Sequence, residues 1–164
     1  MKVSDAIRTL HAVRRFTDRP IAEEDIRAIL NAGRRAQSSK NSQPWTFIAI
    51  RDRETLQRLS ECGTYAGHLA DAALAVALVS AEKTDFDLGQ AAAFMELAAW
   101  ERGIGSCLAA MWEPDKAKGV LGIPAEQHFW IAISFGYPAD EQRPGIAKGG
   151  RRPLADVVHW DRWS

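Results

Sequence analysis

The sequence is poor in cysteine and has no net charge. Cys62 and Cys107 are the only thiols in 164 residues, stand far apart and have no second thiol at CxxC spacing. Neither a disulfide scaffold nor a thiolate metal site is indicated, and a reducing compartment is the default. Twenty-one Lys and Arg balance twenty-one Asp and Glu, so the molecule has no bulk basic field to draw in nucleic acid. The longest apolar stretch, Ala72 to Val79, is far too short to span a bilayer, and the opening MKVSDAIRTL lacks an apolar signal region. The expectation is a cytoplasmic protein, neither secreted nor inserted in a membrane. HExxH, GxSxG and P-loop lysine patterns are absent, and the four histidines are dispersed without metal-ligand spacing, so no metal is expected. The glycines of RGIGSCL follow a helix and precede a strand, the reverse of a dinucleotide-binding loop, and Leu108 stands where the third glycine belongs.

What is present describes one domain with a substantial core, since 46% of the residues are apolar. The balanced charge is unevenly spread. Residues 1–53 carry 11 basic and 6 acidic groups, residues 54–101 carry 2 and 8, and residues 102–164 carry 8 and 7. Apolar spacing predicts a short helix capped by Ser4 and a second opened by Pro20, with Glu23, Glu24 and Asp25 in its first turn. SSKNSQP is a loop by composition, and Trp45 to Ile50 reads as a strand. Asp52 caps a helix through Leu59, and a helical stretch surrounds Tyr65 to Leu69. AALAVALVS lacks alternation and reads as a strand buried on both faces. Asp85 or Asp87 caps the longest helix, apolar nearly all round and therefore expected to be buried, with Gly103 at its end. Strands are predicted at Ser106 to Met111 and Phe129 to Phe135, with a short helix from Pro114 between them. LADVVHWDRW closes the chain as a short apolar arm. Helices around a central sheet make an α+β fold.

Two groups of polar residues have the chemistry of a binding site. Ser38, Ser39, Asn41 and Gln43 offer hydroxyls and amides just before a strand, and Arg14 and Arg15 stand side by side between the first two helices, where a guanidinium suits an anion or a ring edge. Taken alone, each group is equally a turn or a solvated charge. The order of the pieces is more specific. VRRFTDRPIAEEDIRAIL, AQSSKNSQPWTFIAI, a buried helix ending ERGIGSCLAAMW, then SFGYP, then GGRRPLADVVHW together resemble the FMN-dependent nitroreductase and flavin reductase family across essentially the whole chain.

The resemblance implies an α/β/α sandwich with a mixed, mostly antiparallel sheet. It also implies an intertwined homodimer, with residues 1–164 forming one domain whose arm from about residue 138 is exchanged with the second subunit. FMN, reduced by NAD(P)H and reoxidised by a nitroaromatic, quinone or similar planar acceptor in ping-pong fashion, would carry the chemistry, so no catalytic side chain is expected. Arg14 matches the cation over the ribityl and pyrimidine edge, and Ser38, Ser39 and Asn41 match the loop that reaches the cofactor partly from the partner. Leu108, Ala109, Ala110 and Met111 match the segment along the isoalloxazine, with the main-chain N–H near Ala110 directed at N5. Arg151 matches a phosphate-binding arginine, which Lys148 or Arg152 would assist. Trp112, directly after the ring-lining segment, is the tryptophan expected nearest a ring.

The chain departs from the pattern where the family has an Arg-x-Ser phosphate triplet, here Leu10, His11 and Ala12. His11 is the remaining donor there. Gln37 replaces a usual proline, and the chain lacks the insertion that shapes many substrate pockets, which implies an open site. Hydrogen bonds to a charged group contribute about 1.5 to 3 kcal/mol each, so losing two weakens phosphate binding by about 10²- to 10⁴-fold unless other cations compensate. A weak FMN binder with little reductase activity is the alternative. Replacing Leu10→Arg together with Ala12→Ser is expected to tighten FMN binding, read by flavin fluorescence titration. An unchanged dissociation constant would remove the assignment of those positions.

Overall fold

The chain is described from a computed structural model over residues 1–139 and 150–163. Helices α1 (Val3–Thr9) and α2 (Glu23–Arg34) precede strand β1 (Trp45–Ile50). Then follow α3 (Arg53–Ser60), β2 (Leu74–Ser80), α4 (Asp85–Glu101), β3 (Gly105–Ala110), α5 (Pro114–Leu121) and β4 (His128–Gly136). Single 3-10 turns lie at Ser39–Asn41, Gly67–Leu69 and Leu154–Asp156.

The four strands form one antiparallel sheet in the order β1-β2-β4-β3. The sheet expected to be mixed has one parallel element among the described residues, the isolated bridge between Ala12 and Ser106. Alternation along each strand divides the core in two. On one face Val76, Leu78, Ile133 and Phe135 pack against Ile26, Ile29, Leu88 and Met95 of α2 and α4. On the other, Ala75, Val79, Phe129 and Ala132 pack against Leu56 and Leu59 of α3 and Ala117 of α5. Helices on both faces of one sheet make the α/β/α sandwich, and β2, buried at all seven positions, is its centre.

Most boundaries follow local chemistry. Asp52 caps α3 by accepting from the Thr55 N–H at 2.8 Å. Gly103, at φ 71°, ends α4 in the left-handed conformation that favours glycine. Three expectations are corrected. Helix α1 starts two residues earlier than a Ser4 cap implies, with Lys2 at the cap position, because the Lys2 carbonyl already accepts from Asp5 and Ala6. Helix α2 starts at Glu23, because Ile21 is drawn into the core and keeps the chain from Pro20 to Ala22 non-helical. Helix α4 is buried on one side only, with Phe86 and Phe94 facing outward in the single copy.

A glycine pair seats the amino-terminal segment on the sheet. Gly105 and Gly136 are register partners at one end of β3 and β4. A Cβ on Gly105 would fall 2.6 Å from the Val13 side chain, and one on Gly136 would fall 2.7 Å from the Phe16 ring. Val13 is fully buried and has nowhere to retreat. Gly105→Ala should therefore lower unfolding free energy by about 1 to 3 kcal/mol, as overpacking does, measurable by urea denaturation. A variant as stable as the parent would show that the seat can relax.

Candidate functional site

The segment from Ala12 to Thr17 is laced across that glycine pair. The Val13 N–H donates to the Ser106 carbonyl and the Thr17 N–H to the Tyr137 carbonyl, both at 2.8 Å, while the Ala139 N–H donates to the Arg15 carbonyl at 3.1 Å. Arg14 leaves the backbone between these anchors. Its guanidinium acts electrostatically on the Cys107 thiol and on His68, which brings it to the same end of the protein as β3. Arg14 is thus held beside the segment that the sequence marks as its companion.

Strand β3 is an edge strand, and its outer edge is only partly covered. The Met111 N–H donates to the Trp130 carbonyl of β4 at 2.8 Å, so odd-numbered residues point their main-chain groups inward and Ser106, Leu108 and Ala110 point theirs outward. Beyond the Val13 contact at Ser106 no strand among the described residues continues along this edge. Among the described residues no main-chain acceptor meets the Ala110 N–H. A backbone donor in that position is available to an external acceptor. Leu108 beside it is 47% exposed, and Ala109 and Met111 point into the core. Trp112, 68% exposed, follows directly.

Two polar clusters lie behind this edge, both unforeseen in the sequence. His68 Nδ1 is 2.8 Å from Ser134 Oγ, and the Ser134 hydroxyl lies 3.3 Å from the Cys107 carbonyl that it can donate to. The Leu108 main chain also acts on His68 in the direction that favours the charged imidazole. Burial, with Arg14 adding to it, outweighs that contact and holds the imidazole below its ordinary value, so the neutral ring is favoured. Burial likewise pushes the Cys107 thiol up, against the influence of Arg14. On the other face the Ser106 hydroxyl donates to Glu96 Oε1 at 3.1 Å. Glu96, Leu108, Ile131 and Trp130 line a cavity of about 370 Å³ between α4 and the sheet. Only Ser134 and Ser106, polar residues inside otherwise apolar strands, gave a signal for these clusters.

The remaining predicted residues are dispersed. His11 is half-buried, its Nδ1 2.9 Å from the Thr9 carbonyl and its ring edge-on to Trp100 at 4.9 Å. Arg8 is turned to Asp5 at 3.2 Å. Ser38 accepts from the Gln43 N–H at 2.9 Å, and Ser39 and Asn41 stand exposed in a tight turn where Lys40, Asn41 and Gln43 all have positive φ. Such a run of left-handed, non-glycine residues carries backbone strain of the kind found at binding loops. This turn precedes β1, the opposite edge of the sheet from β3. With two strands between them, the edges are about 14 Å apart. Arg151 is exposed, Arg152 donates to the Asp156 carbonyl, and Lys148 lies outside the described residues.

The family model described as Nitroreductase family matches residues 7–83 and 66–137. A protein of Archaeoglobus fulgidus, provisionally named NADH dehydrogenase/NAD(P)H nitroreductase, is 33% identical over 96% of this chain and 96% of its own length. An NADH dehydrogenase of Thermus thermophilus is 25% identical over 91% of both chains. Among solved structures, an FMN-dependent nitroreductase of Clostridium difficile superposes with TM-score 0.85 at 26% identity, covering 96% of this chain and 98% of that one.

Burial holds the Glu96 carboxyl above its ordinary value of 4.5, opposed by Ser106, so its neutral form is favoured in the fold. A carboxyl raised in this way contributes stability that is complete below 4.5 and is lost as pH rises through the folded value. Glu96→Gln should therefore gain stability relative to the parent as pH rises from 4 to 8 in denaturant titrations. Parallel stability curves would show that Glu96 is solvated.

Proposed function

The chain belongs to the nitroreductase family, and we propose from that premise that it is an FMN-dependent NAD(P)H oxidoreductase acting as a homodimer. The observation that carries the cofactor assignment is the outward Ala110 N–H on the free edge of β3, with Leu108 exposed beside it and Arg14 anchored at the same end. A main-chain donor, an apolar surface and a guanidinium are the donor set that a flavin ring requires. When bound, FMN supplies the two-electron chemistry, taking hydride from NAD(P)H and passing it on to a nitroaromatic, quinone or similar planar acceptor in a ping-pong cycle.

Each of this chain's residues then has a limited task. Ala110 donates from its backbone toward N5, and Leu108, Ala109 and Met111 fix the surface along the ring. Arg14 stabilises negative charge at the pyrimidine edge. His11, Lys148 and Arg151 serve the phosphate, in place of the donors absent at Leu10 and Ala12. Positioning and electrostatics of this kind need no side-chain acid or base.

Three features support a second copy. Ser38, Ser39 and Asn41 lie at the far edge of the sheet from Ala110, so one copy does not assemble the full set. Among the described residues strand β1 has an unpaired edge, beside a groove of about 840 Å³ lined by Leu30, Trp45 and Phe47 together with the charged Glu24, Arg27 and Arg34. The closing arm presents Leu154, Trp160 and Trp163 to solvent, each at least 72% exposed in the single copy. On this reading residues 1–164 form one domain, the arm from about residue 138 crosses to the partner, and each pocket receives its serine turn from the other subunit.

The purified protein should elute at twice its monomer mass, bind FMN with quenching of flavin fluorescence, and oxidise NADH or NADPH when a quinone or nitroaromatic is supplied. A monomer without flavin or turnover would overturn the proposal. Binding of FMN weaker than about 1 μM with little turnover would favour the weak-binding alternative that Leu10 and Ala12 raise.

A further inference from the structure

We propose that the turn from Cys62 to His68 is a positioning device for the Ala110 main-chain N–H, gripping the outer edge of β3 so that this donor keeps a single direction. The inference rests on the flavin reading above and adds residues to that site.

Edge strands are bonded on one side only, and their outward peptide groups are free to tilt. Along β3 the first outward carbonyl, that of Ser106, is held by the Val13 N–H. The next two face the turn. The Leu108 carbonyl accepts from the Cys107 thiol at 3.5 Å, and the His68 imidazole, whose Nδ1 is 2.8 Å from Ser134 Oγ on the neighbouring strand, acts on the Leu108 main chain from the turn. The Ala110 carbonyl lies against Gly63, where a Cβ would sit 2.3 Å from the Ala110 oxygen and 3.0 Å from the Ala66 Cβ. One step further on, the Glu113 N–H donates to the Cys62 carbonyl at 3.0 Å and fixes the chain as it leaves the strand.

This spacing matters for a single peptide group. The Ala110 N–H belongs to the peptide joining residues 109 and 110, and the peptides on either side carry the Leu108 and Ala110 carbonyls. With both neighbours held outside, and with Ala109 paired to Ala132 inside, the middle peptide has little freedom to rotate. The absence of a side chain at residue 63 allows the close approach, and the imidazole at residue 68 is tied to Ser134 while acting on the Leu108 main chain. His68 is 8% exposed. It acts on the ring only through the strand and is a positioning residue.

The test uses Gly63→Ala, His68→Leu and His68→Gln in the full chain. In the apo protein the amide resonances of Leu108 and Ala110 should shift in Gly63→Ala and His68→Leu, and return toward the parent in His68→Gln, whose amide keeps a donor. In the FMN-loaded protein the flavin midpoint potential should change, and the rate of flavin reduction by NADH should fall about 10- to 100-fold in Gly63→Ala and His68→Leu, with KM for NADH unchanged. Parent-like Ala110 resonances and potentials in both variants would overturn the proposal. Should Gly63→Ala fail to fold, the His68 pair decides. A parent protein that binds no FMN overturns the flavin reading, and the apo resonances then support or overturn the grip on their own.

Discussion

The seat of Val13 and Phe16 on Gly105 and Gly136 is the contact on which the rest of the site depends. It is steric before it is chemical. Two facing residues without side chains let the amino-terminal segment lie directly on the sheet, where Val13 and Thr17 donate to Ser106 and Tyr137. That lacing covers the first outward carbonyl of β3, stops short of the outward groups of Leu108 and Ala110, which no strand among the described residues meets, and delivers Arg14 between its anchors. A wider segment, or a β-branched residue in place of either glycine, would close the gap between the segment and the sheet differently and move the guanidinium away from Cys107 and His68.

An uncovered strand edge is ordinarily a liability, since unpaired N–H and C=O groups invite other strands. Here the protection is selective. The Cys62 to His68 turn lies against the Ala110 carbonyl, the Leu108 carbonyl accepts from the Cys107 thiol, and the donors are left outward. The opposite edge, β1, is a different case, because no strand among the described residues pairs with it and a groove that mixes Leu30, Trp45 and Phe47 with the charged Glu24, Arg27 and Arg34 runs alongside. A covered acceptor side on β3 suits a small ligand with a lone pair, whereas a bare edge on β1 suits another chain. The two edges thus divide the proposed roles of cofactor and partner between them.

Much of this fold was legible because it rests on local pattern. Strand β1 was predicted at Trp45 to Ile50 and observed there, and the unbroken apolar run of β2 indicated burial on both faces. Asp52 and Gly103 marked helix ends through capping chemistry that needs only neighbouring residues. The helix starts at Ser4 and Pro20 were misplaced because tertiary demands, such as burial of Ile21, overrode the local preference. The ordered motifs led to the family, yet nothing in single-residue pattern could show Gly63 against Ala110 or His68 against Ser134. Those contacts join residues 47 and 66 positions apart, and they exist only once the strand order β1-β2-β4-β3 has formed.

The loss of the phosphate triplet also has a structural side. The end of α1 is occupied by packing: Trp100 Nε1 donates to Thr9 Oγ1 at 2.8 Å, the His11 ring lies edge-on to Trp100, and Ala12 is in the bridge to Ser106. The residues that follow α1 therefore join it to α4 and β3. His11, with Nδ1 directed to the Thr9 carbonyl, keeps only its other ring nitrogen for a ligand. An anionic cofactor would thus draw less of its binding free energy from the end of α1 and more from cations supplied elsewhere, and the proposed contributors Lys148 and Arg151 belong to the segment that would cross to the partner. Cofactor affinity and dimer formation would then be thermodynamically linked, each strengthening the other by the same factor.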